Sequence, residues 1–169
     1  MNMDKKNIIL IGMPGVGKSS VGVVLAKILG YRFVDSDLVI QEQEGKLLCE
    51  LIEERGIEGF LEVENRVNAS LNCEKCIIAT GGSAVYGTEA MEHFKEIGIV
   101  LYLRADYESI NERLGNLKGR GVVLKDGQTL MDLYNERAPL YEKYADIIVD
   151  ETGCKSVSDT ISRIMDKLD

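Results

Sequence analysis

With 169 residues, of which 45% are hydrophobic and 28% charged, the chain has room for one compact α/β domain and enough apolar content to bury a core. Its net charge of −8, without a basic run, speaks against nucleic acid or anionic membrane as partners, since both need clustered Lys and Arg. The sequence holds no uninterrupted run of 18 apolar residues, and the apolar Ile8–Ile11 leads into a glycine-rich turn rather than a small-residue cleavage site. The expected location is therefore cytoplasmic.

In chain order, Ile8–Ile11 is a short continuous apolar run, as expected of a strand covered on both faces. Lys18–Leu29 carries Val21, Val24, Leu25 and Ile28 at helical spacing, and Gly30 ends it. Tyr31–Val34 reads as a second strand. Asp37–Glu44 and Lys46–Arg55 read as short helices, and Gly59–Leu71 as a longer one. A third strand over Cys76–Thr80 is closed by Gly81-Gly82, and a helix over Glu89–Glu96 precedes a fourth strand, Ile99–Leu103. A helix over Tyr107–Leu114 follows. The segment Gly115–Gln128 holds four glycines and little periodicity, and reads as a mobile loop or lid. Thr129–Tyr144 reads as a helix with a kink or break expected at Pro139. A fifth strand, Ile147–Val149, and a closing helix, Val157–Leu168, complete the chain. Alternation of five short strands with helices predicts a parallel sheet covered on both faces. The four cysteines, including Cys73 and Cys76 in one Cys-x-x-Cys, lack a second close pair for zinc and read as reduced thiols near a strand entry.

The strongest signal is Gly12-Met13-Pro14-Gly15-Val16-Gly17-Lys18-Ser19, a full G-x-x-x-x-G-K-[ST] between an apolar strand and an amphipathic helix. Glycines let successive backbone N–H groups, Val16 included, curl around a β-phosphate, while the helix N-terminus at Lys18-Ser19-Ser20 adds partial positive charge. Lys18 is placed to reach the β- and γ-phosphates and Ser19 to offer a hydroxyl to Mg²⁺. ATP and Mg²⁺ are thus the expected cofactors. Asp35 and Asp37, at i and i+2 at the end of the second strand, face the same crevice, where ligands bind in open α/β sheets. One can hold Mg²⁺ through water while the other accepts a hydroxyl's proton; the plain alternative is that Asp37 caps a helix.

From here the chain resembles the shikimate kinase family over nearly its whole length. The P-loop, Phe33-Val34-Asp35-Ser36-Asp37, Gly81-Gly82, Arg120 and Arg137-Ala138-Pro139-Leu140-Tyr141 follow the family's order and spacing. The resemblance implies an α/β P-loop kinase fold, with a five-stranded parallel sheet of order 2-3-1-4-5, helices on both faces and a lid over ATP. It also implies roles: Asp35 helps hold Mg²⁺, Asp37 orients the accepting hydroxyl, Arg120 clamps the transferring phosphate, Arg113 lies near the adenine, and Arg137 with Gly81 and Gly82 binds the acceptor and its carboxylate. The expected activity is transfer of the ATP γ-phosphate to a small-molecule hydroxyl by a monomeric enzyme.

Three departures stand out. The family pattern Phe-Arg-x-x-Glu is here Phe60-Leu61-Glu62-Val63-Glu64, so a leucine replaces the arginine while Glu64 remains. The three-glycine turn is Gly81-Gly82-Ser83, and Gly121 stands where a proline usually follows the lid arginine. Arg66 lies roughly 140° off the face that position 61 occupies, and Arg55 reaches it only if the preceding turn allows. Leu61 and Glu64 therefore mark the acceptor site as the place of change. Two kinase readings stand open: phosphorylation of shikimate with a rearranged carboxylate clamp, or of another small hydroxy acid, amino acid or polyol. A non-catalytic nucleotide-binding relative is the third.

Overall fold

A computed structural model describes residues 6–115 and 124–169. Arg120, Gly121 and most of the expected lid lie outside the described residues.

Five strands form one parallel sheet of order β2-β3-β1-β4-β5: β1 Asn7–Ile11, β2 Arg32–Asp35, β3 Cys76–Ala79, β4 Gly98–Arg104 and β5 Ile147–Asp150. Ile8, Ile9, Leu10 and Ile11 are fully buried, because β1 is flanked by β3 and β4 and covered on both faces. Asn7 fixes the entry edge. Its side chain donates to the carbonyls of Cys73 (2.8 Å) and Ile97 (3.1 Å) and accepts from the Cys76 amide (2.9 Å), so one amide group sets the starts of β1, β3 and β4. The Cys-x-x-Cys belongs to this edge. All four cysteines are free thiols, and burial, with Cys76 alongside, pushes the Cys73 thiol up to about 12, far from reactive. Among the described residues no cluster of His, Cys, Asp and Glu could hold a metal, and no helix is long and apolar enough to cross a membrane.

Among the described residues seven α-helices accompany the strands: α1 Lys18–Leu29, α2 Ser36–Glu44, α3 Leu48–Ala69, α4 Thr88–Ile97, α5 Tyr107–Gly115, α6 Leu130–Tyr144 and α7 Val157–Leu168. The two helices expected across residues 46–71 are present end to end in α3, joined across a kink at Gly56, whose non-helical φ of 73° and ψ of 176° suit only glycine. A break expected at Pro139 is absent: α6 runs through it. Proline's missing N–H removes one helical hydrogen bond, and buried Arg137 and Tyr141 anchor the helix on either side. A short 3₁₀ turn, Ala84–Tyr86, which periodicity could not disclose, follows β3.

The core divides in two. The main cluster surrounds the sheet; a smaller one, Ile40, Leu51, Phe60, Val63 and Val67, joins α2 to α3. This second cluster lets α2 and α3 stand as a wall beyond the C-terminal ends of β2 and β3.

Candidate active site

The P-loop leaves the buried end of β1 and turns into α1. Gly12 has no room for a side chain: a Cβ there would lie 2.7 Å from the Leu103 carbonyl on β4. Gly17 caps α1 with φ 93°, a left-handed conformation that frees the first turn of the helix to face a phosphate. The Lys18 ammonium donates to the carbonyls of Gly12 (2.6 Å) and Met13 (2.9 Å), which hold it over the loop. Burial lowers its pKa to about 7; Asp37 opposes that shift and Arg137 adds to it. A nearby phosphate would restore its charge.

Not every residue of the motif meets the crevice in the same way. Gly15, Gly17, Lys18, Ser19 and Ser20 line a cavity of about 530 Å³ together with Asp37, Glu64, Gly81, Gly82 and Arg137. Val16 does not. Its side chain is buried in the main core and its N–H donates to the Met13 carbonyl at 3.3 Å, so its place in the loop is to pack the turn down. Arg113 stands behind the loop, donating to the Gly15 carbonyl at 3.2 Å and lying 3.5 Å from the buried Glu151. It is a brace for the P-loop on the side away from the acceptor residues.

Asp35 and Asp37 divide the work that their spacing suggested. Oδ1 of Asp35 accepts from the backbone amides of Asp37 (3.0 Å) and Leu38 (3.4 Å), so Asp35, and not Asp37, caps α2. Its other oxygen lies 3.3 Å from the Ser19 hydroxyl. A carboxylate oxygen beside a P-loop hydroxyl is a hard-oxygen pair suited to Mg²⁺, which takes few protein ligands and keeps waters and phosphate oxygens for the rest. The residues present therefore fit the ion. Asp37 turns inward instead, and its Oδ1 is buried without a hydrogen-bond partner. Burial, with Asp35 nearby, pushes its pKa up to about 6 against the pull of Lys18, near the range useful to a general base at neutral pH.

Across the cavity, α6 supplies Arg137, only 2% exposed. Its guanidinium lies over the Tyr86 ring, 5.3 Å from the centroid, and Nε donates to the Tyr86 hydroxyl at 3.3 Å. Tyr86 in turn donates to Glu136 at 2.7 Å. One turn along α6, Tyr141 stacks on Tyr102 and donates to the Gly82 carbonyl at 2.6 Å. Arg137 and Tyr141 at i and i+4 thus fix one face of α6 against the turn after β3. Gly81 and Gly82 are required by close approach. A Cβ on Gly81 would meet Asp37 Oδ1 at 2.9 Å and Glu64 Oε2 at 3.0 Å; one on Gly82 would meet Pro14 at 2.7 Å and Arg137 Nη1 at 2.9 Å.

Glu64 lines the cavity from α3 and is 2% exposed. Oε1 accepts from the Ser83 hydroxyl at 2.7 Å. Burial raises its pKa to about 7, although the Ser83 hydrogen bond favours the charged form. Leu61 is not part of the cavity wall: it packs with Ile40, Leu51 and Phe60 in the small cluster, as an apolar side chain in that position must. Leu48, Ile52 and Phe60 give the wall an apolar patch instead. Arg55 and Arg66 do not replace the missing guanidinium. Both pair with Glu44 at the end of α2, on the solvent side.

Sequence reasoning missed Ser83, Tyr86 and Tyr141 as members of the site. The third residue of the glycine turn and the terminal tyrosine of Arg137-Ala138-Pro139-Leu140-Tyr141 were visible as pattern, yet their partners lie 19 and 59 residues away. Nothing in the sequence marks Tyr86.

The family model for shikimate kinase matches residues 14–169. The shikimate kinase of Histophilus somni is 34% identical over 171 residues, covering 98% of each chain, and that of Thermodesulfovibrio yellowstonii 38% identical over 151 residues, covering 88% of this chain and 87% of the relative. Among solved structures, the shikimate kinase from Acinetobacter baumannii in complex with shikimate superposes with a TM-score of 0.85 at 33% identity, covering 96% of this chain and 92% of that one.

Proposed function

Since the chain belongs to the shikimate kinase family, ATP-dependent kinases that phosphorylate a hydroxyl group, we propose that its acceptor is a small hydroxy acid held by Arg137 and aligned by Asp37. Shikimate, named in the complex of the Acinetobacter relative, is the first candidate. The observation that carries this reading is the shared cavity: Lys18 of the P-loop, Asp37 and Arg137 all line it.

In the step itself, the acceptor oxygen attacks the γ-phosphorus in line, the bond to the β,γ-bridging oxygen breaks, and ADP leaves with that electron pair. The hydroxyl proton passes to the Asp37 carboxylate, which lines the cavity. Lys18 stabilises charge on the phosphate oxygens, and the P-loop amides hold the β-phosphate. Ser19 and Asp35 would hold Mg²⁺, which would supply positive charge against the phosphate oxygens. Arg137 takes a carboxylate and so fixes the distance between acceptor and phosphorus. Arg120 is assigned to the γ-phosphate by the family resemblance alone. The whole chain acts as one catalytic domain, with α2 and α3 as its acceptor-binding wall.

The test is ADP release with shikimate, quinate, gluconate, homoserine and simple polyols, beside ATP binding measured by itself. Acceptor-dependent ADP release with a carboxylate-bearing alcohol supports the reading. ATP binding without release for any acceptor overturns it and favours a non-catalytic nucleotide-binding protein.

A further inference from the structure

Resting on the hydroxy-acid reading above, we infer that Tyr86, itself set by Glu136, is a positioning residue that decides which edge of the Arg137 guanidinium meets the acceptor's carboxylate.

A guanidinium offers a carboxylate two edges with paired N–H groups: the side, Nε with one Nη, and the end, Nη1 with Nη2. In this chain the side is taken. Nε of Arg137 donates to the Tyr86 hydroxyl at 3.3 Å, and the guanidinium carbon lies 5.3 Å from the centroid of the Tyr86 ring. The end is left for the cavity that Arg137 lines, with Nη1 2.9 Å from where a Cβ on Gly82 would lie. Among the described residues no carboxylate pairs with Arg137, although it is only 2% exposed, so its charge is kept for a ligand.

The direction of the Tyr86 hydroxyl is fixed from its other side. A phenol has one proton, and here it goes to Glu136 Oε1 at 2.7 Å, which leaves only oxygen lone pairs for Arg137. Glu136 is held in turn: its Oε2 accepts from Gln128 Nε2 at 3.1 Å, and Gln128 Oε1 accepts from the Lys125 amide at 3.1 Å. Burial, and the bond to Glu136, raise the Tyr86 pKa, so it stays a neutral hydroxyl and offers Arg137 no competing charge. Tyr86 ends the short 3₁₀ turn that directly follows Gly81-Gly82-Ser83. The backbone that crowds the acceptor thus also carries the residue that aims the arginine.

Aim matters here beyond charge. Among the described residues Arg137 is the only arginine that lines the cavity: Leu61 packs in the small cluster, and Arg55 and Arg66 pair with Glu44. With one guanidinium, the angle at which the carboxylate docks is set by that group's own orientation. That angle carries through to the hydroxyl that Asp37 must meet. A guanidinium free to turn would still attract the anion but would present it at several angles, so loss of aim is felt in kcat as well as in KM.

The test pairs the best hydroxy acid of the panel above, shikimate first, with its methyl ester, which keeps the hydroxyls and loses the charge. ADP release gives kcat and KM for each in wild type, Tyr86→Phe, Glu136→Ala and the double variant. Tyr86→Phe keeps the ring beside the guanidinium and removes only the oxygen. It is expected to lower kcat/KM for the acid about tenfold, with KM for ATP and kcat/KM for the ester within about twofold of wild type. Glu136→Ala should cost the acid about threefold in the wild-type background and nothing in Tyr86→Phe, because it acts only through the hydroxyl. An acid-to-ester preference unchanged in Tyr86→Phe, a fall shared equally by acid and ester, or additive losses in the double variant overturns this inference and leaves the hydroxy-acid reading standing. A wild type that turns over no acid of the panel, or takes the ester as readily as the acid, overturns both.

Discussion

The two walls of the cavity, nucleotide and acceptor in the reading proposed above, are built by different means. The first is backbone: a loop leaving β1, a glycine-capped helix and one lysine held by loop carbonyls at 2.6 and 2.9 Å. The second is side chain: Asp37 from α2, Glu64 from α3, Arg137 from α6 and the glycine turn after β3. A backbone cradle tolerates little variation, because its geometry depends on which residues can adopt it. A side-chain wall can change its ligand by exchanging one residue without disturbing the sheet.

The largest effect that would break this contrast falls on the nucleotide wall. Lys18→Ala is expected to lower phosphoryl transfer roughly 10³-fold or more while circular dichroism stays that of the folded chain. ADP release near the wild-type rate in a folded variant would remove the P-loop from the mechanism.

Next is the residue between the walls. Asp37→Asn is expected to cost about 10²-fold in kcat, since the amide cannot take the proton. The sign of the pH response follows from the same group. Asp37 works as the carboxylate, its pKa is raised to about 6, and kcat/KM is expected to fall as pH drops through that value. A flat profile from pH 5 to 8 would relieve Asp37 of proton transfer.

On the acceptor wall alone, Arg137→Lys keeps the charge and loses the planar fork, and should raise KM for hydroxy acids about 30-fold with KM for ATP unchanged. An equal rise for ATP would mean that the walls are not separable. Leu61→Arg should improve kcat/KM for shikimate about tenfold, because position 61 is three residues from Glu64 on α3 and the added guanidinium can pair with it. Absence of any gain would show that residue 61 does not control this wall.

The smallest expected effect is on stability. Glu64 is an acid whose folded pKa, about 7, stands above its ordinary value of 4.5, so ionisation costs folding energy as pH rises through that interval. Glu64→Gln should match wild type in Tm near pH 4 and exceed it at pH 8 by the equivalent of about 2 kcal/mol. A Tm that falls at pH 8 would mean that Glu64 is held as the carboxylate by a compensating partner.

Much was determined by the sequence itself. The phosphate cradle was legible because its chemistry is local: glycines, one lysine and one serine within eight residues, between a strand pattern and a helix pattern. Strand order followed from the family resemblance, and the strands from continuous apolar runs. Departure at Leu61 was equally plain in the sequence. Tertiary structure alone decided what that departure means. It showed Leu61 withdrawn into the small cluster, Arg55 and Arg66 drawn to Glu44, and Glu64 left buried with one oxygen held by Ser83 and the other free. It also gave the cap of α2 to Asp35 rather than Asp37 and carried α6 unbroken past Pro139. The physical reason is separation along the chain. A hydrogen bond between residues 19 or 59 positions apart leaves no periodic mark in the sequence, and which carboxylate turns inward depends on packing that only the folded chain supplies.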